Sequence, residues 1–415
     1  MPGISGLPAR RAALHMLDAV LRKGETLEQV EGLALRPVRE GADRALARAI
    51  VSEALRWLTD IDGLIDSATK KQLPEGAKPR NVLRMMLAQA LRLETPPHAV
   101  IATGLPLLAA GPRRLAHGVF SALMKREPQL PAAPTLPPAV RDRWGDRGPD
   151  IAKGLAAPPE LDLRLKDVGQ TAQSAVALSA TSHWAGHLRL PRGSAVESLA
   201  GFAQGDWWVQ DLAAQLPASM LGQGNNRHAL DLCAAPGGKT MQLASAGWNV
   251  TALDLSKRRL GLLKENLKRT GLKASPVRAD ALKWEPKHQF DAILLDAPCT
   301  ATGTCRRHPD VLHRIGADDV RAMAEIQRAL IAKAAQWLKP GGTLVYAVCS
   351  LEHEEGEEHV GWIEQELDLS LAPIHADELP RGVEPSQTGW VRTYPGMLAE
   401  EGGLDGFFVG RWIKN

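Results

Sequence analysis

From residue 7 to about residue 126, apolar positions recur every three or four residues. Ala13, Leu17, Val20 and Leu21 fall on one stripe, as do Leu83, Met86, Leu87 and Ala90, the spacing of helices with one buried face. No alternating pattern interrupts them, so the first part of the chain reads as all-α. The stretch from Pro128 to Pro138 is too rich in proline for a helix or a central strand and marks the clearest domain boundary. From Val140 to about Ala203 the pattern is weak, with Leu161 to Leu165 and His187 to Leu190 as short strands of a small α+β connector. From Trp207 onward strand and helix patterns alternate, which predicts a doubly wound sheet. The predicted strands are His228 to Leu232, Asn249 to Leu253, Ala274 to Val277, Phe290 to Leu295, Gly342 to Val348 and a closing Phe407 to Trp412. Helices are expected at Lys257 to Thr270 and at Asp318 to Leu338, the latter ending at Lys339-Pro-Gly-Gly. Three domains follow: residues 1–127, 139–204 and 205–415.

Length and charge narrow the class. A chain of 415 residues can bury sizeable cores, and a formal charge of +3 permits an RNA partner without demanding one. Arg10, Arg11, Arg44, Arg48, Arg80, Arg84, Arg113 and Arg114 recur through the helical part. A solvated face is the plainer reading of them and an RNA-binding patch the sharper one. The four cysteines, at 233, 299, 305 and 349, lack the paired spacing of a structural zinc site, so no metal is expected. With no apolar signal core and no window of about 20 apolar residues, a soluble protein of the reducing cytoplasm is expected, away from membranes.

Ala229 to Thr240, Ala-Leu-Asp-Leu-Cys-Ala-Ala-Pro-Gly-Gly-Lys-Thr, reads as a strand, a tight turn and a helix start. Small residues let a ligand approach the backbone, and a helix start offers free N–H groups. A triphosphate loop needs glycine where Cys233 stands, and Pro236 removes a donor; the dinucleotide pattern is also absent. S-adenosylmethionine, which carries no phosphate, fits better. Asp254, at the end of the second strand, suits its ribose hydroxyls, and Asp280, after the third, suits its adenine amino group. Either aspartate alone reads more simply as a turn or helix cap.

Two thiols then stand at two further strand ends: Cys299 closes Asp296-Ala-Pro-Cys, and Cys349 follows Val345-Tyr-Ala-Val. Both would face one crevice. A thiolate is suited to add to an electron-poor ring carbon, which points to covalent catalysis. Taken singly, each would read as a small buried hydrophobe.

These motifs, with Arg306-Arg-His-Pro-Asp310, Tyr346-Ala-Val-Cys-Ser350, Gln210-Asp-Leu-Ala-Ala-Gln215 and Asp405-Gly-Phe-Phe408, resemble the Sun/Fmu family of RNA cytosine-5 methyltransferases in order and approximate spacing. Pro96-Pro-His-Ala-Val100 and its helical surroundings are similar to the NusB-like extension of that group. The resemblance implies a NusB-like RNA-binding domain, the α+β connector, and a Rossmann-like class I methyltransferase domain acting, as a monomer, on 16S ribosomal RNA. It implies cofactor contacts from Cys233, Ala234, Ala235, Pro236, Gly237, Gly238, Lys239, Asp254, Arg259, Asp280 and Asp296. RNA contacts are implied at Arg306, Arg307 and His308, with Lys257, Arg258 and Arg259 as further candidates for the backbone.

A Pro-Cys pair such as Pro298-Cys299 is the nucleophile in DNA cytosine-5 enzymes, so spacing alone leaves the attacking thiol open. The resemblance assigns attack to Cys349 and product release to Cys299. It gives Asp296 the acid role at ring nitrogen 3 and Lys239 an orienting or polarising role. Val348, Gly356 and His117 depart from the usual pattern without removing a required group. Two alternatives stand beside this reading: a methyltransferase for transfer RNA or another ribosomal site, and a non-catalytic RNA-binding or assembly protein keeping the fold.

Overall fold

The computed structural model describes residues 5–415. The chain divides into two compact units: one runs through Ala157 and includes Cys305–Ile315, the other comprises Pro158–Thr304 and Gly316–Asn415. No helix of the described residues is long and apolar enough to cross a membrane.

The first unit is helical, its main helices being Leu7–Lys23, Leu27–Ala34, Gly41–Arg56, Leu58–Ser67, Lys78–Arg92, Pro97–Gly104 and Ala110–Met124. The first helix takes Pro8 in its opening turn and stops at Gly24, whose φ of 69° suits glycine. The expected stripes face its core: Ala13, Leu17, Leu83, Met86 and Leu87 are fully buried. Each large aliphatic chain so buried contributes roughly 1.5–3 kcal/mol.

The arginines divide differently from either expectation. Arg11 and Arg114 are exposed, but Arg80 and Arg84 are buried and paired with Asp66 at 2.7 Å and Asp62 at 2.6 Å. Arg10 is buried as well, its Nε donating to Gln89 at 2.9 Å. These charges are internal ties of the helical unit.

The segment Cys305–Ile315 is held in this unit by its own contacts. Arg56 Nη2 donates to the carbonyl of Arg306 at 3.0 Å, and His313 Nε2 lies 2.7 Å from the carbonyl of Leu55. Asp310 accepts from the Leu27 N–H at 3.4 Å and from Arg314 at 3.1 Å. Val311 and Leu312 are buried.

In the second unit, β1 (Leu161–Leu165), β2 (His187–Leu190) and β3 (Trp207–Val209) form an antiparallel sheet ordered β2-β1-β3. The larger sheet contains β4 (His228–Leu232), β5 (Asn249–Asp254), β6 (Ser275–Arg278), β7 (Phe290–Asp296), β8 (Leu338–Val348), β9 (Leu369–Leu371), β10 (Val391–Thr393) and β12 (Phe407–Lys414); β11 (Pro395–Leu398) lies outside it. Its order is β10-β12-β8-β7-β4-β5-β6, with β6 through β8 parallel and β12 antiparallel to β8.

Helices cover both faces, so residues 229 to 232 of β4 are all buried despite alternating sides. Leu260 and Leu263 of the helix Lys257–Thr270 pack near one end, while Leu330, Ile331 and Ala334 of Ala317–Trp337 pack across β7 and β8. The first unit is all-α and the second has the expected Rossmann-like architecture. Several strand ends shift by one or two residues, and one boundary differs in kind: the long helix ends at Trp337, and Lys339 to Gly342, expected as a helix-ending turn, lies within β8 opposite a register shift in β7.

Candidate active site

The order of the parallel strands reverses at β4, which has β5 on one side and β7 on the other. Ligand crevices open at the carboxyl ends of strands at such a switch point. The turn after β4 lies there. Cys233 has φ 61° and Gly237 φ 106°, and a Cβ on Gly237 would stand 2.9 Å from Leu263 Cγ, so only glycine fits that bend. The Asp254 carboxylate ties the turn to β5, accepting from the Ala235 N–H at 3.1 Å and the Ser256 N–H at 2.8 Å. Arg259 donates to the Ala235 carbonyl and stands 3.8 Å from Asp254.

Below the turn, Asp231 is fully buried and accepts from the Thr240 hydroxyl, and burial pushes its carboxyl up to about 7. Burial also pushes the Cys233 thiol up to about 12. Asp280 accepts from the Leu282 N–H at 3.1 Å, the turn-capping role weighed for it above. Leu255 is 66% exposed and Leu282 40% exposed. Carboxylates alternating with uncovered leucines at strand ends fit a nucleoside, whose sugar donates hydrogen bonds and whose base needs an apolar face.

The second half of the site lies at the ends of β7 and β8. Their register sets Asp296 opposite Ala347, and the Ala297 N–H donates to the Ala347 carbonyl at 3.0 Å. The two following loops therefore leave the sheet side by side. Gly303 crosses beneath Cys349, donating to its carbonyl at 3.0 Å, and a Cβ at 303 would run into the Gly406 carbonyl.

The consequence is a sulfur pair: Cys299 Sγ and Cys349 Sγ are 3.5 Å apart. Contact with Cys349 and burial hold the Cys299 thiol well above the usual thiol range, so it keeps its proton. Lys239, from the helix Gly238–Ser245, reaches Asp296 Oδ2 at 2.8 Å and lies 5.1 Å from the centre of the Phe407 ring.

The turn from Cys233 to Lys239, Asp254, Arg259, Asp280, Asp296, Cys299 and Cys349 thus all belong to the second unit. Arg306, Arg307 and His308 belong to the helical unit, where Arg306 is buried and Arg307 and His308 are exposed. Sequence reasoning missed Glu355. The run from Glu352 to Glu358 reads as the acidic start of a helix, and Glu357 and Glu358 do open the helix Glu357–Glu366. Glu355, however, is fully buried and accepts from Thr300 and Ser350, the residues that follow the two cysteines. Its signal in the sequence was only its closeness to Cys349.

Residues 218–413 match the family described as 16S rRNA methyltransferase RsmB/F, and residues 7–108 match the NusB family. The chain is 32% identical to ribosomal RNA small subunit methyltransferase B of Xanthomonas campestris pv. campestris, over 90% of this chain and 91% of that protein. It is 31% identical to the protein of the same name from Salmonella arizonae, over 98% of each. Among solved structures, the protein PH0851 shares the fold over 99% of both chains, with a TM-score of 0.75 at 22% identity.

Proposed function

The chain belongs to the RsmB/F family of S-adenosylmethionine-dependent ribosomal RNA methyltransferases, and from that premise we propose that it methylates carbon 5 of a cytidine in 16S ribosomal RNA through a covalent adduct of Cys349. The observation that carries the finer reading is the pair of thiols 3.5 Å apart beside a lysine–aspartate pair. A methyltransferase acting on a good nucleophile needs neither thiol.

S-adenosylmethionine, when bound, supplies an electrophilic methyl group on its sulfonium. The turn from Cys233 to Gly238 would hold it, with Asp254 at the ribose, Asp280 at the adenine amino group, and Leu255 and Leu282 against the purine. The remaining work falls to side chains of this chain. Carbon 5 of cytosine is a weak nucleophile, so the Cys349 thiolate adds to carbon 6; a carbon–sulfur bond forms and ring electrons move toward carbon 5 and nitrogen 3. Asp296, paired with Lys239, serves as the acid at nitrogen 3 and offsets the charge that develops there, and Lys239 orients or polarises the base. Once carbon 5 is methylated, its proton leaves to a base, nitrogen 3 returns its proton to Asp296, and the carbon–sulfur bond breaks with its electron pair on the Cys349 sulfur. Cys299, still a thiol, can donate a hydrogen bond to the departing Cys349 sulfur and so assist its release.

The base must be unpaired or turned out of its helix to reach the thiols. The exposed Arg307 and His308 suit contacts to the RNA backbone. On this reading the protein works as a cytoplasmic monomer. The test is transfer of labelled methyl from S-adenosylmethionine to 16S ribosomal, 23S ribosomal and transfer RNA, with bisulfite mapping of the product. Label at one 16S cytidine is expected. Label confined to another RNA would move the substrate, and no label in any RNA would favour a binding role.

A further inference from the structure

One buried carboxylate gathers the loops that carry both thiols. Glu355 Oε2 accepts from the Thr300 N–H at 3.0 Å and from Gln327 Nε2 at 2.7 Å. Its Oε1 accepts from Ser350 Oγ at 2.8 Å and from Thr300 Oγ1. Thr300 follows Cys299 directly and Ser350 follows Cys349. Four donors fill the acceptor capacity of one carboxylate. Gln327 also donates to the carbonyl of Pro298, the residue before Cys299, at 2.9 Å, and Tyr346 donates to the carbonyl of Glu355 at 2.7 Å. The Cys299 loop is therefore gripped on both sides of its sulfur.

We propose that Glu355 is the positioning residue that keeps the Cys299 and Cys349 sulfurs in register for attack and release on a single pyrimidine. Its catalytic half rests on the covalent reading above; its geometric half does not. Apolar packing would join two loops at lower desolvation cost than a buried carboxylate, so stability alone does not call for this arrangement. What the carboxylate adds is direction, since each donor fixes one backbone segment beside one sulfur. Burial pushes the Glu355 carboxyl up while its donors oppose that rise, and its proximity adds to the influences that keep Cys299 protonated. Glu355 acts through the thiols and touches no reacting atom.

In Glu355→Gln the size is kept, but the new amide N–H groups meet donors that already point inward. Two measurements on the full chain separate position from reaction. Diamide takes two electrons and two protons from neighbouring thiols, leaving a disulfide and its own hydrazine, and peptide masses give the rate at which Cys299 and Cys349 join. Methyl transfer gives kcat and the KM for S-adenosylmethionine.

Glu355→Gln should slow disulfide formation and lower kcat, each by about tenfold or more, with KM within about twofold. Wild-type rates in both assays would overturn the proposal. If Glu355→Gln does not fold, Thr300→Val, which removes one hydroxyl and leaves the carboxylate, decides: both rates should fall by about threefold or more, and unchanged rates overturn the proposal. Should the wild-type protein methylate no RNA, the functional reading falls, and the disulfide rates still decide the role of Glu355.

Discussion

Lys239 Nζ donates to Asp296 Oδ2 across 2.8 Å, joining the helix Gly238–Ser245 to the end of the strand that leads to Cys299. The pair is partly buried, with the lysine side chain 10% exposed and the aspartate 29%. It couples the two halves of the site. Lys239→Met keeps the stem over Phe407 and removes the charge and the proton. Methyl transfer should fall by about 100-fold, the usual worth of one acid–base partner, while the variant still melts cooperatively. A loss below about threefold would remove Lys239 from the reaction.

Asp231 gives the fold a pH dependence of definite sign. Burial raises its carboxyl from an ordinary 3.8 to about 7, so the folded chain holds this proton to higher pH than the unfolded chain does. The resulting stabilisation is full below about pH 4 and is lost as pH rises through about 7, amounting to at most about 4 kcal/mol. Asp231→Asn should flatten that decline. Urea midpoints at pH 5 and pH 8 check it, and equal pH slopes in variant and wild type would contradict it.

The segment Cys305–Ile315 leads to a prediction about truncation. A chain beginning at Pro158 keeps this segment but loses Leu27, Leu55 and Arg56, which hold it. Trypsin should then cut after Arg306, Arg307 or Arg314 under conditions that leave the full chain intact. Resistance equal to that of the full chain would show that the segment holds its shape without those helices.

The parallel strands and the closing strand were legible because each contains an apolar run set off from the helices around it, whereas the three-residue strands β9 and β10 gave too short a pattern to be expected. His228–Leu232 and the helix Lys257–Thr270 have the expected bounds, the latter starting after Ser256, whose hydroxyl accepts from the Arg259 N–H, and ending at Gly271. The convergence of Cys299 and Cys349 was legible too, since both follow parallel strands. Buried charges were not. Arg80, Arg84 and Glu355 have the sequence appearance of solvated residues, because a charge run shows neither which member turns inward nor which partner meets it. The double use of Asp254, holding the Ala235 and Ser256 N–H groups, depends on a turn conformation that composition does not reveal.

The central claim is that Cys349 bonds to the base and that Cys299, 3.5 Å away, serves its release. The most direct measurement is a denaturing gel of wild type, Cys299→Ala and Cys349→Ala, each incubated with 16S ribosomal RNA and S-adenosylmethionine. Cys299→Ala should run as a retarded protein–RNA band that persists in denaturant, and Cys349→Ala should form no adduct and transfer no methyl. Normal turnover by Cys349→Ala would contradict the account.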